Sequence, residues 1–179
     1  WADRIYHMAA VVGVKKVLED PVAVMATNMT GTERILRAIQ HGGWNPQVII
    51  ASTSEVYGFN SKSSFAETDH IVLPSAGRLR WAYAVTKLAD EFLAFSYARK
   101  YDLHIVVVRL FNTIGPNQVG HYGMVVPSFV KQAVRNAPLT IYGEGSQTRS
   151  FCDVRDTVVA LDRLAGCQEA WGEVVNVGN

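Results

Sequence analysis

Two linked stretches decide the fold: IIASTSE at residues 49–55 and RWAYAVTK at residues 80–87. The first is an apolar run that turns polar over Ser52, Thr53, Ser54 and Glu55, the pattern of a buried strand reaching its end. The second places Tyr83 and Lys87 at i and i+4, on one face of a helix and one turn apart. A strand followed by a helix is the repeating unit of a parallel sheet.

Outward from this centre, extended and helical patterns alternate. Arg4 to Met8 reads as a short buried strand running into Ala9 and Ala10. A helix is expected from Pro21 to about His41, with apolar positions Val22, Met25, Met29, Leu36 and Ile39 and a stop at Gly42–Gly43. After the strand at Val48–Ala51 comes a Ser- and Asn-rich loop, Gly58 to Gly77. The helix of Tyr83 should run to about Lys100. Its stripe Trp81, Val85, Leu88, Phe92 and Phe95 reads as core or subunit contact, with Tyr83, Lys87, Asp90 and Ala94 on the other face.

His104 to Phe111 is the next strand, and its unbroken Ile105–Val108 run suits a strand covered on both sides. Beyond Gly115–Pro116 we expect a helix near Val126–Arg135, a strand at Leu139–Tyr142 and a Gly-rich turn. A helix near Val154–Ala165 and a strand at Val174–Asn176 follow. The fold class is α/β, with a Rossmann-like parallel sheet and a small C-terminal substrate-binding region.

Composition narrows the function. The 179 residues are 49% hydrophobic and 18% charged, ordinary for a globular α/β protein. A net charge of +1 without a basic run argues against nucleic acid and anionic membranes as partners. No apolar stretch is long enough to span a bilayer. Cys152 and Cys167 form neither a disulfide framework nor a metal set, so no metal is expected and a cytoplasmic location suits the chain.

No G-x-G-x-x-G occurs, so the pyrophosphate cradle of a Rossmann fold is missing; Gly143-Glu144-Gly145 comes too late to replace it. With Trp1 starting almost inside a strand, the expectation is a fragment without the first glycine-rich half. Residues 1–115 then form the rest of the dinucleotide domain. Residues 116–179 form mainly the substrate region, with segments returning to the sheet.

The chemistry lies in three side chains. A cation beside a phenol favours tyrosinate, bringing a group of reference pKa about 10 toward use as a base. Thr53, at the strand mouth, can hydrogen-bond the same substrate oxygen. Such a set moves the proton of an alcohol while a hydride passes to a nicotinamide. Tyr-x-x-x-Lys alone is common by chance; its position on a helix after IIASTSE strengthens it.

HMAA at 7–10, ASTSEVYG at 51–58, YAVTK at 83–87, RLFNTIGP at 109–116 and YGEGSQTRSF at 142–151 together resemble the extended short-chain dehydrogenases. Among these the chain is similar to the NAD-dependent nucleotide-sugar epimerases, dehydratases and decarboxylases, over nearly its whole length. The resemblance implies NAD as cofactor, a UDP-linked sugar as substrate and a homodimer paired through the helices at 21–41 and 78–100. It makes Tyr83 the base for the sugar 4-hydroxyl, Lys87 its activator and ribose ligand, and Thr53 a hydrogen-bond partner of the 4-oxygen. Ala9, Ala10, Asn28, Ala51, Ser52 and Thr113 would line the cofactor, although Asn28 could equally be a solvent-facing helix residue.

Asn112 and Arg149 would face the sugar diphosphate, Arg149 because its planar fork suits phosphate or carboxylate. Val126, Pro127 and Tyr142 would border the nucleotide base, unless Tyr142 is only a strand-end aromatic. The resemblance assigns dehydratases an Asp–Glu pair after the Thr; here Ser54–Glu55 stands instead, which disfavours 4,6-dehydration. Thr-Ser-Glu looks most like UDP-glucuronate decarboxylases, with a UDP-hexose 4-epimerase second and an inactive fragment third. Glu55 then handles a proton at C5 or orients its neighbours. Leu110 and the GRLR segment ahead of Trp81 depart from the family pattern.

Overall fold

The computed structural model describes residues 2–119 and 124–179. Its centre is a four-stranded parallel sheet in the order β1 (Arg4–His7), β2 (Gln47–Thr53), β3 (Ile105–Leu110) and β6 (Val174–Val177). Two short strands, β4 (Thr113–Ile114) and β5 (Cys152–Asp153), pair in parallel beside it. Crossovers between β1, β2, β3 and β6 carry helices, as parallel pairing requires.

Alternation along β2 and β3 sorts the core into two layers. Val48, Ile50, Ile105 and Val107 face Leu36 and Ile39 of α2 (Pro21–Gly42) and Ala94 of α3 (Ala82–Tyr101). Ile49, Val106 and Val108 face Leu161 and Ala165 of α5 (Val154–Ala165). The strands are therefore buried on both faces, which is why their sequences read as unbroken apolar runs. α2 begins where Asp20 caps it, its Oδ1 accepting the Ala23 N–H at 2.9 Å ahead of Pro21, and ends at Gly43 with φ 67°.

Two expectations are corrected. A short helix α1 (Val14–Glu19) precedes α2 where no element was anticipated; Asp20 both closes it and caps the next helix. Leu139–Tyr142 is not a strand: the segment is exposed, Thr140 is held by Gln132 of α4 (Val125–Val134), and no neighbouring strand pairs with it among the described residues. The apolar stripe of α3, read as core or subunit contact, is not buried along its whole length: Val85 is 36% and Phe92 68% exposed. The helix instead buries Thr86, Lys87, Asp90 and Glu91, because ion pairs neutralise the charges on that face.

Candidate active site

The ends of β1, β2 and β3 open into one cleft of about 450 Å³, the crevice beyond the carboxyl ends of a parallel sheet where ligands bind in such folds. Thr53 closes β2 and begins a single turn, Ser54–Tyr57; its Oγ1 accepts the Glu55 N–H at 3.2 Å, leaving the hydroxyl proton free to donate. Glu55 follows on the rim. Tyr83 and Lys87 enter from the first two turns of α3, opposite Thr53, all four residues lining the same cavity.

The electrostatics differ from a simple Tyr–Lys couple. Burial pushes the Tyr83 phenol up to about 12, and the charges of Glu55 and Asp90 push in the same direction. The Lys87 ammonium lies 3.0 Å from Asp90 Oδ2, with both groups buried. Glu55 is also raised, by desolvation against the cleft wall although part of its side chain meets solvent, with Arg80 pulling the other way. No ion pair joins Arg80 to Glu55 among the described residues, so the two charges face the cleft separately.

Beneath the cleft, a buried cluster ties three elements together. Arg109 of β3 donates from Nε and Nη2 to the Glu91 carboxylate of α3 at 3.0 and 2.8 Å, and Ser52 of β2 donates to Glu91 Oε1 at 2.5 Å. The Arg109 guanidinium also stacks over the Tyr57 ring at 4.8 Å. On the β1 side, Asn28 clamps the Val11 backbone, accepting its N–H at 2.7 Å and donating to its carbonyl at 3.2 Å, and donates to Thr86 Oγ1 at 3.3 Å.

Comparison with known proteins agrees with this geometry. The model of the NAD dependent epimerase/dehydratase family matches residues 2–178. The chain belongs to that family. It is 37% identical over 182 residues to a UDP-N-acetyl-alpha-D-glucosaminuronate decarboxylase of Bacillus cytotoxicus, covering 99% of this chain and 54% of the relative. It is 38% identical over 162 residues to UDP-glucuronic acid decarboxylase 4 of Arabidopsis thaliana, covering 90% of this chain and 36% of that protein. The structure of UDP-glucuronic acid 4-epimerase from Bacillus cereus, in complex with UDP-glucuronic acid and NAD, superposes with a TM-score of 0.86 at 32% identity. That match covers 99% of this chain and 54% of the other. The chain thus spans about half or less of the length of the relatives it matches.

Within this family member, the residues singled out from sequence divide clearly. Thr53, Glu55, Tyr83, Lys87, Ala10, Ala51, Ser52, Thr113, Asn112, Val126 and Pro127 line the cleft. Ser52 contributes no free hydroxyl there, because its side chain is bonded to Glu91. Ser54 and Ala9 do not line it. Asn28 does not either, nor does it face solvent; it is 3% exposed and shapes the cleft wall through Val11. Tyr142, 82% exposed, and Arg149, whose Nη1 donates to the Thr148 carbonyl at 2.7 Å, lie outside it on the exposed segment 133–150.

Sequence reading missed Arg80, Phe111 and Gln118, which line the cleft. Arg80 had a signal: it stands three residues before Tyr83, on the turn Leu79–Trp81 that leads into α3. Phe111 and Gln118 had none, because loop and strand-end residues are placed by tertiary contacts.

Proposed function

We propose that this chain carries the proton-transfer half of a NAD-dependent nucleotide-sugar enzyme, and that the whole protein decarboxylates a UDP-linked uronic acid such as UDP-glucuronate. The observation that carries the reading is the convergence of Thr53, Glu55, Arg80, Tyr83 and Lys87 on one cleft at the strand ends. The names of its relatives support the substrate class. The side chains present fit NAD: Ala10 and Ala51 leave room for a flat ring, Lys87 offers donors to ribose hydroxyls, and the Thr113 oxygen, whose proton goes to the Phe111 carbonyl, can accept from one. Bound there, NAD would supply the reversible hydride acceptance at C4 that the reaction needs.

The chain's own residues do the rest. Tyr83 removes the 4-hydroxyl proton while Thr53 donates to the same oxygen. The resulting 4-keto uronate is a β-keto acid and loses carbon dioxide without further activation. Glu55, on the rim of the cleft with its pKa raised by desolvation, is placed to return a proton at C5. Arg80 takes the place first assigned to Arg149, as the cation of the cleft with no carboxylate partner among the described residues.

A second reading is 4-epimerisation of a UDP-sugar, favoured by the close superposition on the Bacillus cereus epimerase. Incubating the full-length protein with UDP-glucuronate and UDP-glucose separates them: carbon dioxide with a UDP-pentose supports decarboxylation, and a 4-epimer at constant mass supports the alternative. Full turnover by Tyr83→Phe refutes both. A third reading is that residues 1–179 alone are silent, lacking the glycine turn. Calorimetry with NAD tests it, and tight binding to this polypeptide rejects it.

Assembly as a cytoplasmic homodimer through α2 and α3 belongs to the same reading. The exposed Val22, Met29, Val85 and Phe92 on these helices support it, and light scattering tests it. Among the described residues no helix is long and apolar enough to cross a membrane.

A further inference from the structure

Lys87 has a counter-ion of its own. Its Nζ lies 3.0 Å from Asp90 Oδ2, and the two side chains are only 3% and 1% exposed. The residues are three apart on α3, so the pair closes within one turn. The other carboxylate oxygen, Asp90 Oδ1, is buried with no hydrogen-bond partner among the described residues. A carboxylate can accept several hydrogen bonds, and this one depends on a single ammonium for compensation. The ammonium is correspondingly committed to it.

We propose that Asp90 is a positioning residue for Tyr83: it anchors the Lys87 ammonium, so that this cation serves the phenol only when it is drawn off that carboxylate. The inference rests on Tyr83 being the base of the proposed reaction, but the anchoring is a property of the helix alone. The neighbouring charges do not do this work. From β1, His7 faces the pair, but its Nε2 is engaged 3.0 Å from Thr32 Oγ1 and burial lowers its pKa, so it stays neutral. From α2, Asn28 and Thr32 are uncharged, and Glu33, on the same α2–α3 groove as Asp90, is 3.5 Å from Arg37. Glu91, next on α3, is held by Arg109. Glu55 lies across the cleft and adds to the load on Tyr83, with Arg80 opposing on the Glu55 side. Asp90 is thus the carboxylate in direct contact with Lys87.

The experiment is a tyrosine titration on the chain itself, free of any cofactor. Carbon-13 at the tyrosine Cζ separates phenol from phenolate, and Tyr83→Phe identifies the signal. At pH 11 the unaltered chain is expected to show Tyr83 as phenol. Asp90→Asn, which keeps the shape and removes the charge, should lower the midpoint by about half a pH unit or more. Asp90→Glu, which restores the charge, should titrate with the unaltered chain. A purely structural role would lower the melting temperature of Asp90→Asn without moving the Tyr83 midpoint, and that outcome overturns the proposal. Equal shifts in Asp90→Asn and Asp90→Glu overturn it too.

If Asp90→Asn does not fold, nitrogen-15 lysine in the unaltered chain decides, with Lys87→Met identifying the signal. An ammonium protected from solvent exchange supports the anchor, and rapid exchange rejects it. Loss of turnover in Tyr83→Phe tests the base separately, so either idea can fail without the other.

Discussion

Replacing Arg109 by Met should be among the most damaging single changes in this chain. The Arg109 and Glu91 side chains are 6% and 3% exposed, and the guanidinium supplies two of the three hydrogen bonds made to the carboxylate, the third coming from Ser52. Arg109→Met leaves Glu91 buried with one hydroxyl for company. Stranding one charge of a buried pair costs about 3–5 kcal/mol. Removing both charges in the double variant Glu91→Leu with Arg109→Met should cost about 1–2 kcal/mol, chiefly for the Ser52 and Glu67 contacts left behind. Glu91→Leu strands Arg109 at a similar cost, so the coupling between the two sites is about 4 kcal/mol or more, and urea unfolding of the four-protein cycle measures it. A single-variant cost below about 1 kcal/mol, or strictly additive effects, would show that this pair contributes no more than a surface bridge. The same cluster joins the strand that ends in Thr53 to the helix that carries Tyr83, so Arg109→Met should also disorder the cleft at denaturant concentrations that leave the far end of the sheet folded. Site-specific hydrogen exchange reads that difference.

Asn28→Ala removes three hydrogen bonds and leaves the Val11 amide without its partner; a loss of about 2–3 kcal/mol in urea unfolding is expected, and a change under 1 kcal/mol refutes the clamp. Tyr83 should make the chain alkali-sensitive: unfolded tyrosine releases its proton near pH 10, the folded phenol only near 12, so stability falls as pH rises through that window by about 1.4 kcal/mol per unit. Tyr83→Phe should therefore lose less stability than the unaltered chain between pH 9 and pH 11, and equal losses contradict the raised pKa. Gly58→Ala would place a methyl 2.1 Å from the Val72 carbonyl oxygen at φ +66°, and a melting temperature lower by roughly 5 °C or more is expected.

Much of this molecule was legible in its chain because the relevant physics is local. Unbroken apolar runs at Val48–Ala51 and Ile105–Val108 declared strands covered on both sides, and Pro21 and Gly43 bounded α2. The stretches that misled are those where local pattern and tertiary environment disagree. Leu139–Tyr142 has the composition of a strand but pairs with no strand among the described residues, and a strand without a partner does not form. Asn28 looked like a cofactor or solvent residue because nothing in its neighbourhood in sequence announces the Val11 backbone it holds.

The amino-acid order by itself determined the alternation of strands and helices, the family, and the face shared by Tyr83 and Lys87, since each depends on spacing within a few residues. Only the tertiary structure decided which charges meet. It sent Glu91 to Arg109, buried the Lys87–Asp90 pair that helix spacing allows, moved Arg80 into the cleft and left Arg149 outside it. Pairing between elements depends on distance and burial in three dimensions, and neither quantity is written in the spacing of residues along a chain.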